Sequence, residues 1–373
     1  MPVPEGTLSV PAERKRYLVV GPRPSKPHEW LSMSRYTAGI VSVLEPVADV
    51  ETLRASHWNP PVLARRIPGR YRGYTPLPRR WPGRLDLVHF TDPYVAVHAR
   101  RFAAPTVATI HDLIVLDFTP FWPPRQTYLR SIAFQSLRAL RHLDALVAPS
   151  GHTRARAIQE TGFPADRVFV VPVLVPDHFA PPPDPAREER TILSVGTAAS
   201  YKNLPVLLHA LSDPALAGSR LIRVGAAFPP ELKQLAARLG ISDRIDHRGH
   251  VPEDQLLALM HTSTVLAQPS LTEGFGMPAA EAMACGLPVV ASNGGALPEV
   301  VGPAGRVVPF RRLGPGPADL DDARDLAHAL AAVIEDPALQ RQMSASGVAE
   351  AVRFRAPAVR DRLLGAYSAA AAR

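Results

Sequence analysis

The strongest constraint on the fold is an alternation that occurs twice along the chain. Short apolar runs occupy 16–21 (RYLVVG), 85–90 (LDLVHF), 105–112 (PTVATIHD), 143–150 (LDALVAPS) and 167–175 (RVFVVPVLV). After an interruption they resume at 191–197, 219–225, 243–251, 263–270, 286–292 and 304–310. Between them lie amphipathic segments such as LPVLLHALSD and PPELKQLAARLG. Runs so short and so apolar read as buried parallel strands, and parallel strands require helical crossovers. The interruption, HFAPPPDPAREER at 178–190, is proline-rich and charged and reads as a linker. The pattern predicts two doubly wound, Rossmann-like α/β domains over residues 1–180 and 181–350. Residues 351–373 add a C-terminal helix expected to pack back on the first domain. Ligands of such sheets sit beyond the carboxyl ends of the strands, so the expected site is the cleft between the domains.

Composition narrows the class further. With 41 prolines in 373 residues, a helical bundle is ruled out. No apolar run reaches the ~18 residues of a membrane-spanning helix, and the first sixteen residues, MPVPEGTLSVPAERKR, lack the apolar stretch of a signal peptide. Cys285 is the only cysteine, so no internal disulfide can form, and a reducing cytoplasm is the expected location. It lies in an alanine-rich stretch with no base beside it and reads as a packing residue. The formal charge of +8 belongs wholly to residues 1–180, where 23 Lys+Arg face 14 Asp+Glu; the remainder holds 19 against 20. That half is the side expected to meet an acidic partner. Only four positions are lysine (15, 26, 202 and 233), which makes an arginine at an arbitrary surface position less informative than a lysine.

The stretch PSLTEGFGMPAAEAMACGLPVVAS, 269–292, carries the chemistry. A strand ends near Gln268, a loop holds Ser270, Glu273 and the turn Gly274–Phe275–Gly276, and Pro278 starts a helix that stops near Gly286. A helix N-terminus presents free amides and partial positive charge, which suit a phosphate or diphosphate. Gly274 and Gly276 allow close backbone approach. Glu281, one turn into the helix, is placed to accept hydrogen bonds from a vicinal diol such as ribose, and Glu273 projects where a second polyol would lie. A helix start of ordinary function would need neither the paired acids nor the paired glycines.

EGFGMPAAE resembles the E-x7-E signature of retaining glycosyltransferases of the GT-B fold, family 4. GTAASYKNLPVLLHAL (196–211), RGHVPEDQLLALMHTSTVLAQPS (248–270) and GLPVVASNGGALPEVVGPAG (286–305) resemble the family as well. So do TIHDLIVLDFTPFWPP (109–124) and 143–172, and the resemblance covers roughly 85–350. It implies a C-terminal domain that binds a sugar nucleotide and an N-terminal domain that binds the acceptor. On this reading Glu281 holds the ribose, Glu273 lies near the donor sugar, and amides around Phe275, Gly276 and Met277 meet sugar hydroxyls. Lys202 binds the diphosphate and stabilises the leaving group. Gly196 and Thr197 line the phosphate loop, His250 and Val251 lie beside the base, and His111 stands close to the reacting centre. His111, Lys202 and Glu273 are thus the candidate catalytic residues. The family implies no metal and no cofactor, and a front-face transfer without a covalent intermediate. DLDD, 319–322, reads as a helix cap rather than a metal motif.

Three departures bear on the site. Tyr201 stands where the family often has arginine before the lysine. Val173–Leu174 replaces an Asn-Gly pair. The glycine-rich loop after the first strand is replaced by 22–40, in which only RYT (35–37) is similar to the family. The run at 64–84 interleaves arginines with Tyr71, Tyr74 and Trp81 and reads first as a proline-rich surface loop. It also suits a peripheral contact with the inner face of a membrane or a lipid diphosphate; nucleic acid fits least. The resulting expectation is a glycosyltransferase moving a hexose-type sugar to a saccharide, a lipid-linked saccharide or a natural product. Its rivals are a nucleotide-sugar epimerase of the same fold and a binding protein whose catalysis has decayed.

Overall fold

The computed structural model describes residues 14–22, 31–55, 81, 83–93, 95–118, 137–183, 187–314 and 316–372. The basic run at 64–84 falls outside these except for 81, 83 and 84. Of the stretch 22–40, residues 23–30 fall outside, while 31–40, read as part of a loop, belong to the helix Leu31–Leu44, which carries Arg35. Among the described residues, twelve strands form two sheets of six. The first comprises β1 (Arg16–Pro22), β2 (Asp49–Ala55), β3 (Leu87–Phe90), β4 (Thr106–Thr109), β5 (Ala145–Ala148) and β6 (Val168–Val170), in the order β2-β1-β3-β4-β5-β6. The second comprises β7 (Thr191–Gly196), β8 (Arg220–Gly225), β9 (Ile245–Gly249), β10 (Val265–Gln268), β11 (Val289–Ser292) and β12 (Arg306–Val308), in the order β12-β11-β10-β7-β8-β9. Every pairing is parallel. Each predicted run contains a strand, and the expected α/β class with two doubly wound sheets is the one observed.

Two differences have simple causes. DVETLRA forms β2, at the edge of its sheet among the described residues, where one flank of the backbone pairs with β1. Charged residues are tolerated there, and no apolar run announces the strand. In contrast, VPVLV after β6 is apolar but not a strand. Pro172 lacks the amide a ladder needs, and the chain leaves the sheet toward the second domain, where the Val175 amide meets Phe354 O at 2.9 Å.

Apolar side chains cover both faces of both sheets. One cluster joins the inner faces, running from Tyr17, Val19 and Val107 through Leu193, Leu266 and Ala280 to Phe354 and Leu363. The helix Ala356–Ala371 crosses back to the first sheet. There Tyr367 sits edge-on to Tyr17, ring centroids 5.2 Å apart, and its hydroxyl lies 2.7 Å from His89 Nδ1. The chain of polar contacts continues from His89 Nε2 to Thr109 Oγ1 at 2.8 Å and on to the Tyr36 hydroxyl at 3.0 Å. All four groups are buried, and burial, with a lesser push from His111, lowers the His89 imidazole to about 3, so it stays neutral. Arg355 secures the crossing by donating to the carbonyls of Pro176 and Phe179, each at 2.6 Å. No described helix is long and apolar enough to cross a membrane.

Replacing Tyr367 by Phe leaves His89 Nδ1 buried without its partner. Urea denaturation is expected to show a loss of about 1–3 kcal/mol. A change below about 0.5 kcal/mol, the scatter of neutral surface substitutions, would show that this network does not hold the terminal helix.

Candidate functional site

The carboxyl ends of the two sheets face each other, and the cleft between them is built mainly from loops after β7, β10 and β4. After β7 the chain turns at Gly196 (φ +141°), where β8 approaches so closely that a Cβ on Gly225 would lie 1.9 Å from Gly196 O. A single 3-10 turn, Ser200–Lys202, then leads through Asn203 in the left-handed region into the helix Leu204–Ser212. The turn carries Lys202 over Gly196 and across to Glu273, Nζ to Oε1 2.7 Å.

Glu273 is buried, and its Oε1 also accepts from Gln268 Nε2 at 3.0 Å and Ser270 Oγ at 2.6 Å. Burial works against the Lys202 charge, but the Glu273 carboxylate more than offsets it and holds the ammonium above its ordinary range. Lys202, Ser270 and Glu273, far apart or only loosely linked in sequence, thus form one hydrogen-bonded unit.

The two glycines of the turn serve protein contacts. A Cβ at Gly274 would meet His111 O at 2.1 Å, so the loop of the second domain lies against the backbone of the first. Gly274 O accepts from Ser150 Oγ at 2.7 Å and Thr153 Oγ1 at 3.0 Å. Gly276, at φ +99°, precedes the helix Met277–Ala284, and a Cβ there would strike Leu297 at 2.8 Å. The Phe275 ring is buried edge-on against Phe354. Several free amides were expected at this helix start. Pro278 has none, and those of Ala279 and Ala280 turn back to Gly276 O, so the Met277 amide is the one of that first turn left for a ligand. The helix ends at Ala284, and Cys285 is buried, its thiol pushed up to about 12, as suits packing and not nucleophilic attack.

Glu281 points from this helix to the domain boundary. It is only 3% exposed and accepts from Arg35 Nη2 at 2.7 Å, an arginine of the first domain that also reaches Glu253 at 3.0 Å. Burial pushes the Glu281 carboxyl up to about 7, and the Arg35 charge pulls the other way. His111 follows β4. Its Nε2 lies 2.6 Å from Thr91 O, which can only accept, so Nε2 carries the proton and Nδ1 the lone pair. Burial lowers the imidazole to about 4, and the ring stands edge-on to Tyr36. Thr197 and His250 are exposed, and Val251 packs on the core. Tyr201 wedges between Ile114 of the first domain and Leu271 of the second, its ring 5.1 Å from Lys202 Nζ. Away from the cleft, Asp319 of DLDD accepts from the amides of Asp321 and Asp322, the capping role expected of it.

Sequence reasoning passed over Arg35 as a site residue and missed Glu299. The Glu299 carboxylate accepts from the Gly151 amide at 2.8 Å and the His152 amide at 3.3 Å, capping a helix of the opposite domain. The RYT triplet was the signal for Arg35. Glu299 had no local signal, because its partners lie across the cleft.

The family described as "Glycosyl transferases group 1" matches residues 179–349, and "Glycosyltransferase Family 4" matches 28–178. The MMP alpha-(1->4)-mannosyltransferase of Mycolicibacterium hassiacum is 30% identical over 283 residues, 73% of this chain and 67% of that one. A D-inositol 3-phosphate glycosyltransferase of Streptomyces bingchenggensis is 30% identical over 302 residues, 73% of this chain and 64% of that one. The alignments therefore span about two thirds of these relatives' lengths. Anabaena Alr3699/HepE, solved in complex with UDP and glucose, superposes with a TM-score of 0.68 at 18% identity, covering 94% of this chain and 99% of that one. Two facing parallel sheets, the E-x7-E loop between them and these matches place the chain among the group 1 glycosyltransferases of the GT-B fold.

Arg35→Met removes the charge that holds Glu281 down. In carboxyl-labelled protein followed by NMR, the Glu281 titration is expected to move upward from about 7. An unmoved titration would mean that the Arg35 contact contributes nothing to the carboxylate.

Proposed function

We propose that the chain is a retaining, metal-independent hexosyltransferase that uses a nucleotide-sugar donor and a hydroxyl acceptor. The observation that carries this reading is the unit of Lys202, Ser270 and Glu273 at the facing ends of the two sheets. Lys202 spends one of its three N–H donors on Glu273 and keeps two for phosphate oxygens. Glu273 collects its three donors on Oε1, leaving Oε2 to accept from a sugar hydroxyl. Gly196 and Thr197 line the diphosphate side, with the Phe275, Gly276 and Met277 amides on the sugar side. Glu281 takes the ribose hydroxyls in exchange for the Arg35 guanidinium, and His250 and Val251 flank the base.

Mechanism follows from the same contacts. A carboxylate held by an ammonium and two further donors is a poor nucleophile, so Glu273 orients the sugar and does not attack it. His111 is neutral, with its Nδ1 lone pair available to a hydroxyl near the reacting carbon. The acceptor hydroxyl then attacks from the face the diphosphate leaves, a phosphate oxygen takes its proton, and the anomeric configuration is retained. Lys202 meets the charge that develops on the leaving diphosphate, which is the task a divalent cation performs elsewhere. The acceptor lies on the first domain and belongs to the saccharides, lipid-linked saccharides or hydroxylated natural products. Work at the inner face of a membrane is consistent with the basic half of the chain.

Incubation with labelled UDP-, GDP- and dTDP-sugars tests this directly. Slow donor hydrolysis, unaffected by EDTA, and transfer with retained configuration are expected. Inverted product would exclude the mechanism, loss of activity in EDTA its metal independence, and sugar isomerisation the transferase assignment. Lys202→Ala is expected to lower kcat by about 10²–10³. Glu281→Gln is expected to weaken nucleoside diphosphate binding, because one of the two oxygens facing the ribose becomes an NH2 donor.

A further inference from the structure

Arg223 is the largest fully buried side chain of the described residues, 1% exposed, in the middle of β8. Its strand neighbours Leu221, Ile222 and Val224 are apolar, and an apolar side chain would suit the interior position as well. The pairing of β8 with β9 slips between Arg223 and Val224. An irregularity of this kind re-aims a side chain and is common beside active sites. Here the guanidinium bends toward the carboxyl ends of β7 and β8. It donates to Ser194 O at 3.2 Å, Gly196 O at 2.6 Å, Thr197 O at 2.8 Å and Val224 O. Its Nε has no partner, and no described carboxylate pairs with it. Burial lowers the group to about 10, which leaves it a cation at neutral pH.

A buried cation facing only carbonyls is costly to keep. Its place explains the cost. The peptides after Gly196 and Thr197 are trans, so a carbonyl aimed at Arg223 sends the following amide to the opposite side. The Thr197 and Ala198 amides therefore face away from the guanidinium, on the loop that leads to Lys202. Two oriented amides backed by a positive charge make an anion cradle. The segment that follows β7, TAASYKN at 197–203, carries one cation of its own, Lys202.

We propose that Arg223 is a positioning residue of the diphosphate subsite. From beneath the Gly196–Thr197 loop it supplies the second positive charge and orients the loop amides toward the diphosphate of the donor. The inference rests on the nucleotide-sugar reading above and deepens it. It predicts a division within the ligand: the diphosphate depends on Arg223 and the nucleoside does not.

Binding of UDP, GDP and ADP, of the matching nucleosides and of inorganic pyrophosphate is measured by ligand-observed NMR and calorimetry. The protein is wild type, Arg223→Met and Arg223→Lys. Arg223→Met is expected to weaken nucleoside diphosphate and pyrophosphate binding about tenfold or more, the scale of a lost charged hydrogen bond. Nucleoside affinity is expected to stay within about twofold, and Arg223→Lys to restore part of the loss because it keeps the charge without the fork. Equal losses for nucleoside and diphosphate, or no loss, would overturn the proposal. Should Arg223→Met fail to fold, Arg223→Lys carries the same comparison, with a loss confined to diphosphate and pyrophosphate expected. Wild-type protein that binds no nucleoside diphosphate would instead sink the nucleotide-sugar reading, and this inference with it.

Discussion

A buried carboxylate must be paired, and the pairing of Glu273 organises the cleft. Its Oε1 draws in a lysine from the loop after β7, an amide from the end of β10 and a serine from its own loop. The loops at the carboxyl ends of two neighbouring strands are thereby tied at one atom. Without that anion, Lys202 would be a desolvated cation beside a second buried one, Arg223. With it, the ammonium is held ready and charged. The charge balance of the site thus rests on a short loop that runs into the Gly274–Gly276 turn.

Closure of the two domains depends on similarly local chemistry. The Gly274 loop lies on His111 backbone and gives its carbonyl to Ser150 and Thr153, while Glu299 caps the helix that those residues begin. Arg35 enters from the first domain to meet Glu281 and Glu253. The carboxylate that the proposed function gives to the ribose is thus, in the fold, a contact between the domains. Tyr201 fits this picture: in place of a cation it supplies an aromatic wedge between the domains and a face for Lys202.

Legibility varied with how local the physics was. Eleven runs each contain a strand, most of them because strands covered on both faces must be largely apolar; β9, IDHRG at the far edge of the second sheet, is only partly covered. Edge strand β2 was illegible because an edge tolerates Asp49, Glu51 and Arg54. The glycines at 274 and 276 were legible as places of close approach, but what approaches in the fold is His111 backbone and Leu297. The acids at 273 and 281 could be recognised from their spacing around a helix start. Their partners could not, since Lys202 and Arg35 lie 71 and 246 residues away.

By itself, then, the sequence determined the parallel α/β class, the division into two sheets and the loop that carries the acids. These follow from hydrophobic periodicity and turn chemistry, which act between near neighbours. Tertiary structure alone decided which cation neutralises which acid, that Arg223 is buried beneath the Gly196–Thr197 loop, and that Glu299 caps a helix it does not belong to. Charge pairing is set by distance in space, and in a parallel sheet the ends that meet in the cleft come from strands far apart along the chain.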